Sequence, residues 1–377
     1  MEVEIKAANK LHSTLLASKK PPFEKEAVKK ALNGGTFIDV IYPPIGSSVG
    51  SEETYSKSIT WRRPQDFLDF DAGISSPGGT NRKSRKWQAD MKLVEVFDEG
   101  VQASDINQGE LGNCWFMCSL GALCEFPLLV DRLFVDTWSK DEETHENRSS
   151  AIGLYELRFC NNGEWTNVLV DDYFPCKVST GTPIFSQCKG NEIWVLLVEK
   201  AYAKLKGSYY NCRLGDPGDG LLDLTGCPCV GYPLADPALT FDDVWAWDRN
   251  DCILCASTPG TDTFTEGGGG RGGGKTGLVP GHAYTVVQAR MIRSGRYKGT
   301  QVLQMRNPWG EFEWTGAWSD NSREFIECRA ELEDDGIDSN ESAGDDGMFW
   351  MSWVDFKAHF ISIDVCAPYT LQCGSTL

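Results

Sequence analysis

The stretch QGELGNCWFMCSLGALCEF, residues 108–126, combines a tight turn with an apolar helical pattern. Gly109 and Gly112 allow the backbone to turn closely ahead of Cys114. Apolar residues then recur at helical spacing through Phe126, and Pro127 follows at the end of the pattern. The stretch therefore predicts a buried helix within residues 112–126, with Cys114 at its start.

A thiol at the start of a helix has a distinct chemistry. The helix N-terminus offers backbone N–H groups and a positive partial charge, and both stabilise a thiolate. Gln108, a few residues upstream, can aim an amide N–H at an oxyanion formed when the sulfur attacks a carbonyl, and the backbone N–H of Cys114 is a second donor. The alternative is a core thiol at a buried helix start, which is our interpretation of Cys118 and Cys124.

A thiol nucleophile needs an imidazole base, and the chain has 4 histidines. His282 follows Pro280-Gly281 and opens a β-like stretch, 282–290, while the next β-like stretch ends at Asn307. An antiparallel hairpin that turns at residues 294–299 would bring His282 beside Asn307, whose side chain would then orient the ring. Trp309 would cover that hydrogen bond. The alternative for residues 306–310 is a strand end and turn with Trp309 in a core.

Composition excludes several classes of function. The 377 residues favour two or three domains, and the net charge of −18 argues against a nucleic-acid or anionic-membrane surface. The N-terminus lacks the apolar core of a signal peptide, and no stretch reaches the length of a membrane span. We therefore expect a cytoplasmic protein with reduced thiols. The pairs Cys227/Cys229 and Cys252/Cys255 have no adjacent histidine, which disfavours zinc.

The rest of the chain gives a coarse outline of helices and strands. Pro64 starts a short helix, Asn161-Asn162-Gly163 joins two strands of a hairpin, and residues 192–206 form an amphipathic helix. Residues 212–220 are turn-rich and suit a hinge. Further β-like stretches cover residues 254–258, 300–307 and 349–356. The glycine-rich segment 265–277 is expected to be a flexible loop and lacks convincing phosphate-loop spacing, and 329–347 is expected to be an acidic loop.

The order Cys, His, Asn, with a tryptophan after the cysteine and another soon after the asparagine, is that of papain-like cysteine proteases. The segments QGELGNCWF, EIWVLLVEKAYAKLKGSY, GHAYTV, RNPWGEFEWTGAWSD and DDGMFWMSWVDF together resemble the calpain protease core from about residue 60 to 366. The resemblance implies an α+β papain-like fold, with a mainly helical Cys subdomain and a β-rich His/Asn subdomain flanking a cleft. The expected domains are an N-terminal extension (1–60), the Cys side (61–215) and the His/Asn side (216–377).

The resemblance also implies an activity, that of a calcium-dependent intracellular cysteine endopeptidase making limited cuts in proteins through a thioester acyl-enzyme. It implies that Cys114 is the nucleophile, His282 the base, Asn307 the orienting residue and Gln108 the oxyanion donor. Trp309 matches the family's mobile tryptophan, which obstructs the cleft until calcium realigns the subdomains. Gly215 and Gly281 match glycines that hold the substrate main chain. Asn113 stands where many members have aspartate, outside the acting groups.

Two calcium ions are implied by the same resemblance. The first site would use the side chains of Asp105 and Glu192 with the carbonyls of Asp98 and Gly100. The second would use Glu313, Asp320 and Asp346, with the carbonyl of Gly344. Met348 stands where the family usually has a glutamate, and a thioether is a poor calcium ligand, so we expect the second site to be weaker or to borrow an acid from 329–347.

Two other functions remain open at this point. One is a calpain-fold scaffold or calcium-responsive binding protein without useful catalysis, which the retained triad disfavours. The other is a papain-fold acyl transferase of the transglutaminase kind, which the calcium acids disfavour. Expected partners are protein substrates, with no nucleic acid and no transmembrane segment. The chain is either a core-only member or a fragment of a longer protein with further domains or regulatory partners.

Overall fold

A computed structural model describes residues 35–50, 58–68, 94–97, 100–135, 139–140, 147–148, 150, 152–261, 275–332 and 346–368. The chain divides into two compact units. The first comprises Met1–Gly100, Phe134–Leu157 and Val168–Ser208, and the second comprises Val101–Leu133, Arg158–Asn167 and Tyr209–Leu377. The segment that carries Cys114 therefore groups with the strands that lead to His282 and Asn307. The domain boundaries expected at residues 60 and 215 stay a prediction.

Helices and strands alternate irregularly along the described residues, as the mixed pattern predicted. The helices are α1 (Gly46–Val49), α2 (Pro64–Phe67), α3 (Cys114–Leu123), α4 (Pro127–Asp131), α5 (Trp194–Lys206), α6 (Pro217–Thr225), α7 (Phe241–Arg249), α8 (Arg323–Leu332) and α9 (Trp353–His359). The strands are β1 (Ile59–Arg62), β2 (Glu95–Phe97), β3 (Phe134–Val135), β4 (Ser139–Lys140), β5 (Asn147–Arg148), β6 (Leu154–Asn161), β7 (Glu164–Asp171), β8 (Phe174–Lys177), β9 (Cys229–Pro233), β10 (Ile253–Ser257), β11 (Ala283–Met291), β12 (Gln301–Arg306), β13 (Met348–Ser352) and β14 (Ser362–Cys366).

The first unit contains small sheets and the long helix α5. Strand β1 pairs antiparallel with β8, and β2, β5 and β4 form a three-stranded sheet. Lys200 on α5 is fully buried, forms an ion pair with Asp171, and donates to the carbonyl of Tyr173 at 2.6 Å. A buried ammonium is tolerated only when its donors find such partners. These contacts fix α5 in the unit, and the predicted amphipathic helix is confirmed.

The predicted hairpin between residues 152 and 175 is also confirmed. Strands β6 and β7 are neighbours in a sheet ordered β3-β6-β7. Asn162 and Gly163 at their connection have φ angles of 53° and 82°. Positive φ at both residues is the requirement of the two-residue turn that asparagine and glycine favour.

The second unit is built on a six-stranded sheet ordered β13-β12-β11-β10-β14-β9. All of its neighbouring pairs are antiparallel. The inward side chains form one apolar cluster that includes Tyr284, Leu303, Met305 and Phe349. This sheet agrees with a β-rich part of the expected α+β fold. The arrangement of two subdomains about a cleft stays a prediction.

Helix α3 lies against this sheet. All ten of its residues are buried, from Cys114 to Leu123. A helix that is apolar on every face must be enclosed, which the pattern of residues 115–126 already indicated. Its start at Cys114 is confirmed, but it ends at Leu123, three residues before the expected end at Phe126, and Pro127 occupies the first turn of α4.

Two stretches differ from the expectation. The β-like stretch 349–356 is a strand only as far as Ser352, where the serine side chain caps α9 by accepting the N–H of Asp355 at 3.0 Å. The turn-rich stretch 212–220 contains the first turn of α6, which Asp216 caps by accepting the N–H of Gly218 at 2.9 Å. In both cases a polar cap starts a helix within a pattern that does not reveal it. Among the described residues, no helix is both long and apolar enough to cross a bilayer.

Candidate active site

Cys114 is the first residue of α3, and it is 8% exposed. The preceding residue, Asn113, offers its carbonyl to the N–H groups of Phe116 and Met117 at 2.9 and 3.0 Å. The N–H of the first helical residue has no carbonyl acceptor within its own helix. The thiol therefore has the helix N-terminal position that its sequence predicted.

His282 lies immediately before β11, at a sharply turned point of the backbone. Gly281 has a φ of 61°, a value that residues with a Cβ rarely adopt. Its N–H donates to the carbonyl of Pro259 at 3.0 Å. Thr258 holds the backbone of His282 at both its carbonyl and its N–H. Its N–H donates to the carbonyl of His282 at 2.9 Å, and its Oγ1 accepts the N–H of His282 at 2.9 Å. Sequence analysis did not find Thr258, which is buried at the end of β10.

The imidazole of His282 pairs with Asn307. Nε2 of the ring lies 2.8 Å from Oδ1 of the amide. The predicted hairpin provides this pairing, since β11 and β12 are antiparallel with Thr285 opposite Arg306. Continuing that register places Asn307 opposite Tyr284, so His282 is a diagonal neighbour on the same face of the strand pair.

The orientation of the Asn307 amide is fixed by its other contacts. Nδ2 donates to the carbonyls of Glu311 and Phe312 at 2.7 and 3.1 Å, and Oδ1 accepts the N–H of Trp309 at 3.0 Å. The reversed amide would set its NH₂ against a backbone N–H and its oxygen against two carbonyls. Oδ1 therefore faces the ring, and Nε2 of His282 must carry the hydrogen. The other ring nitrogen, Nδ1, is then the basic one in the neutral imidazole.

Trp309 covers this pair. Its side chain is 1% exposed, and its ring centroid lies 4.7 Å from that of His282. Tyr284 meets the imidazole edge-on at 5.1 Å. A hydrogen bond enclosed by aromatic rings is shielded from water and strengthened by the low local dielectric.

Polar contacts join the cysteine helix to the strands of the second unit. Oγ1 of Thr285 on β11 donates to the carbonyl of Cys118, one turn along α3 from Cys114, at 3.0 Å. The guanidinium of Arg306 donates to the carbonyl of Ile106 at 3.0 Å, and the N–H of Gln108 donates to the carbonyl of Pro308 at 3.0 Å. These contacts bind the segment before Cys114 to the residues around Asn307. Thr285 and Arg306 were not singled out from the sequence.

Gln108 and Gly215, two further candidates, lie in the same unit. Gln108 is fully buried, and its Nε2 donates one of its two hydrogens to the carbonyl of Leu111 at 2.6 Å. Gly215 lies flat on the indole of Trp115, where an added Cβ would come within 2.4 Å of the ring. Trp115 also donates its indole N–H to the carbonyl of Cys212 at 2.9 Å, and the N–H of Leu214 reaches the carbonyl of Gly112 at 3.1 Å.

The calcium candidates fall in different parts of the chain. Asp98 and Gly344 lie outside the described residues. Gly100 and Glu192 belong to the first unit, and Asp105 belongs to the second. The remaining candidates, Glu313, Asp320 and Asp346, also lie in the second unit.

Two of these second-site candidates are neighbours. Oε1 of Glu313 accepts the N–H groups of Asp346 and Gly347, both at 2.9 Å, and Oδ1 of Asp346 accepts the N–H of Met348 at 2.8 Å. Paired carboxylates suit the oxygen shell of calcium. Within the described ranges, however, no group of three or more His, Cys, Asp or Glu side chains is placed to hold a metal.

Most of the other cysteines in the described part of the chain are core residues. Every cysteine in the described part of the chain is a free thiol. Burial raises the pKa of Cys176 to about 12, and Cys124 donates its thiol to the carbonyl of Leu120 within α3. A thiol with so high a pKa is a poor nucleophile at neutral pH. These residues fit the structural role expected of most cysteines here.

Comparisons with known proteins give one family. Residues 37–367 match the family model described as calpain family cysteine protease. The chain is 33% identical to the calpain-type cysteine protease DEK1 of Zea mays over 345 residues, which is 88% of this chain and 13% of the relative. It is 31% identical to calpain-5 of Mus musculus, covering 88% of this chain and 49% of the relative. It is 31% identical to the calpain-1 catalytic subunit of Pongo abelii, covering 91% of this chain and 43% of the relative.

The chain thus spans between 13% and 49% of the length of these relatives. The match nevertheless extends from residue 37 to 367 and includes the cysteine helix, the histidine strand and the asparagine turn. The chain belongs to the calpain family of cysteine proteases.

Proposed function

We propose that the chain is a calcium-dependent, intracellular cysteine endopeptidase that makes limited cuts in protein substrates through Cys114, His282 and Asn307. The observation that carries the proposal is the 2.8 Å contact between Nε2 of His282 and Oδ1 of Asn307. It assigns the ring hydrogen to Nε2 and leaves Nδ1 as the base. The helix N-terminal position of Cys114, in the same unit, supports the role of nucleophile.

The reaction then follows from ordinary thiol chemistry. Nδ1 of His282 takes the proton of the Cys114 thiol, and the thiolate attacks the carbonyl carbon of the scissile peptide bond. The tetrahedral intermediate collapses as the C–N bond breaks, and the imidazolium returns its proton to the leaving amine. A thioester remains on the sulfur. The imidazole next deprotonates water, which attacks the thioester and releases the acid product and the free thiol.

The oxyanion of each tetrahedral intermediate needs donors fixed in advance. We assign this role to Nε2 of Gln108 and to the backbone N–H of Cys114. The carbonyl of Leu111 orients the Gln108 amide by accepting one hydrogen at 2.6 Å, so that the second hydrogen has a defined direction. The full burial of Gln108 favours strong donation, since a buried hydrogen bond is weakly screened.

Calcium would act on the protein rather than on the bond that is cut. The matching residues supply oxygen donors only, which fits calcium better than a transition metal. Bound calcium would supply charge neutralisation among clustered carboxylates. In the second unit, Glu313 and Asp346 would hold one ion with Asp320, and Met348 would leave that site short of a carboxylate. Asp105 and Glu192 would contribute to the other.

Casein cleavage tests the proposal. Purified wild type and Cys114→Ser are incubated with casein in calcium or in excess chelator, and the fragments are resolved by electrophoresis. We expect discrete fragments from the wild type with calcium alone, and none from the serine variant. Cleavage that persists in chelator would contradict the calcium dependence, and cleavage by the serine variant would contradict the nucleophile.

A further inference from the structure

Asp364 is a buried carboxyl group outside the machinery described above. It lies on β14, is 4% exposed, and stands opposite Gly231 of β9 and Cys255 of β10. Its Oδ1 is 2.9 Å from the position that a Cβ on Gly231 would take, so only glycine leaves room for it there. Its Oδ2 is buried and has no hydrogen-bond partner among the residues that the structure describes.

A second carboxyl group meets Asp364. Asp216, the N-cap of α6, accepts the N–H of Gly218 at 2.9 Å through Oδ1. A Cβ on Gly218 would lie 3.1 Å from Oδ1 of Asp216 and 3.3 Å from Oδ1 of Asp364. The two side chains thus converge on one glycine-lined space and are within hydrogen-bond reach of each other. Two carboxyl groups can make such a contact only with a proton between them.

The surroundings favour retention of that proton. Burial, followed by the charge of Asp216 and that of Asp219, raises the pKa of Asp364 to about 7. The facing groups on α6 are Asp216 and Asp219, β10 presents the thiol of Cys255, and β9 presents Gly231, which does not titrate.

Asp216 directly follows Gly215, the glycine assigned to the substrate main chain. The segment 212–217 is fixed on its other side to the cysteine helix. Gly215 rests on the ring of Trp115, and Oγ of Ser119 on α3 donates to the carbonyl of Pro217 at 2.9 Å. The segment therefore lies between α3 and the carboxyl pair.

We propose that Asp364 and Asp216 share a proton and act as a positioning pair that holds Gly215 in place for substrate binding. With the proton in place, the pair ties the start of α6 to β14. When the proton leaves, two adjacent carboxylates repel and the tie is lost. The inference rests on the proposed function, since it assigns a role to Gly215 in that site.

The test compares KM and kcat across pH for wild type, Asp364→Asn, Asp216→Asn and Asp242→Asn. Each is assayed on one fluorogenic peptide at saturating calcium, from about pH 5.5 to about pH 8.5. Asparagine at either pair position donates an N–H to the remaining carboxylate at every pH. The wild type should show a rise in KM as the pH passes through about 7, and both pair variants should lose that rise. Asp242, an exposed aspartate at the start of α7, is the matched control and should keep it.

A second readout does not depend on activity. A carboxyl group whose pKa is raised on folding stabilises the protein at low pH, and that stabilisation is lost as the pH rises through the folded-state pKa. The Tm of Asp364→Asn should therefore exceed that of the wild type more at about pH 8 than at about pH 5.5.

If the wild type and Asp364→Asn show the same dependence of KM on pH, the proposed positioning role of the pair is wrong. A constant difference in Tm would overturn the shared proton. A wild type without cleavage would instead defeat the proposed function. If Asp364→Asn does not fold, Asp216→Asn provides the test, because Asp216 is exposed. Loss of the rise in KM in Asp216→Asn would support the pair, and a rise in KM equal to that of the wild type would contradict it.

Discussion

Nε2 of His282 lies 2.8 Å from Oδ1 of Asn307, and the amide is fixed from behind by the carbonyls of Glu311 and Phe312. Phe312 has a φ of 63°, a conformation uncommon for an aromatic residue. A backbone with such local strain is found where the surrounding structure requires it. The turn after β12 thus orients the amide of Asn307, and this amide orients the imidazole of His282. The ring hydrogen lies on Nε2, and Nδ1 is left to act as the base.

Asn307→Ala should lower kcat far more than it changes KM. Without Oδ1, the ring loses its preferred tautomer and orientation. General-base catalysis contributes about 10²–10⁴-fold, so a loss on the order of 10²-fold is expected. The measurement is kcat and KM on a fluorogenic peptide at saturating calcium.

Asn250→Ala is the matched control for that variant. Asn250 is exposed at the end of α7, where its amide donates to the carbonyl of Ala246 in the same helix. It should leave kcat unchanged. Equal kcat values for Asn307→Ala and wild type, with the Tm retained, would remove Asn307 from the mechanism.

Thr258→Val should reduce both stability and kcat/KM. Valine keeps the shape of threonine but removes the oxygen that accepts the His282 N–H at 2.9 Å and donates to the carbonyl of Val279 at 2.7 Å. An unsatisfied buried donor costs about 1–3 kcal/mol. Tm and kcat/KM are measured together, and Thr258→Ser, which keeps the hydroxyl, should restore both. Full activity of the valine variant would show that this anchor of the His282 backbone is dispensable.

The His282–Asn307 hairpin was predictable because two strongly β-like stretches are joined by a short turn. Each of these two strands therefore pairs most readily with the other. The helix at Cys114 was equally clear, since apolar residues recur at helical spacing from Trp115 to Phe126, although the helix itself ends at Leu123.

Thr258 and Asp364 could not be found in the same way. Thr258 is 24 residues from His282, and it meets that residue only because β10 pairs with β11. Asp364 lies among apolar residues of an ordinary strand pattern, and its partner Asp216 is 148 positions earlier in the chain. Contacts of this kind depend on the order of strands in the sheet, which local patterns do not specify. The strand-to-helix change at Ser352 was missed because its apolar residues suit either structure.

Met348→Glu should lower the calcium concentration required for half-maximal activity. Met348 follows closely on Asp346, whose Oδ1 accepts its N–H at 2.8 Å, and a glutamate there would add a carboxylate beside Glu313 and Asp346. Calcium affinity rises with the number of charged ligands. Calcium titrations of casein cleavage measure the shift.

Met348→Gln is the control for the calcium titration, since it has the length of glutamate without its charge. It should give a smaller shift or none. An unchanged calcium requirement in Met348→Glu would argue against an ion at Glu313 and Asp346.

Alkylation of Cys114 tests the central claim most directly. Wild type and His282→Ala are treated with iodoacetamide in calcium over a range of pH, and mass spectrometry follows Cys114, with Cys124 in the same helix as an internal reference. An ordinary thiol has a pKa of about 8.5 and reacts slowly at about pH 6.5. The account predicts rapid alkylation of wild-type Cys114 at about pH 6.5 and a fall to the rate of an ordinary thiol in His282→Ala. Equal rates in the two proteins at that pH would contradict it.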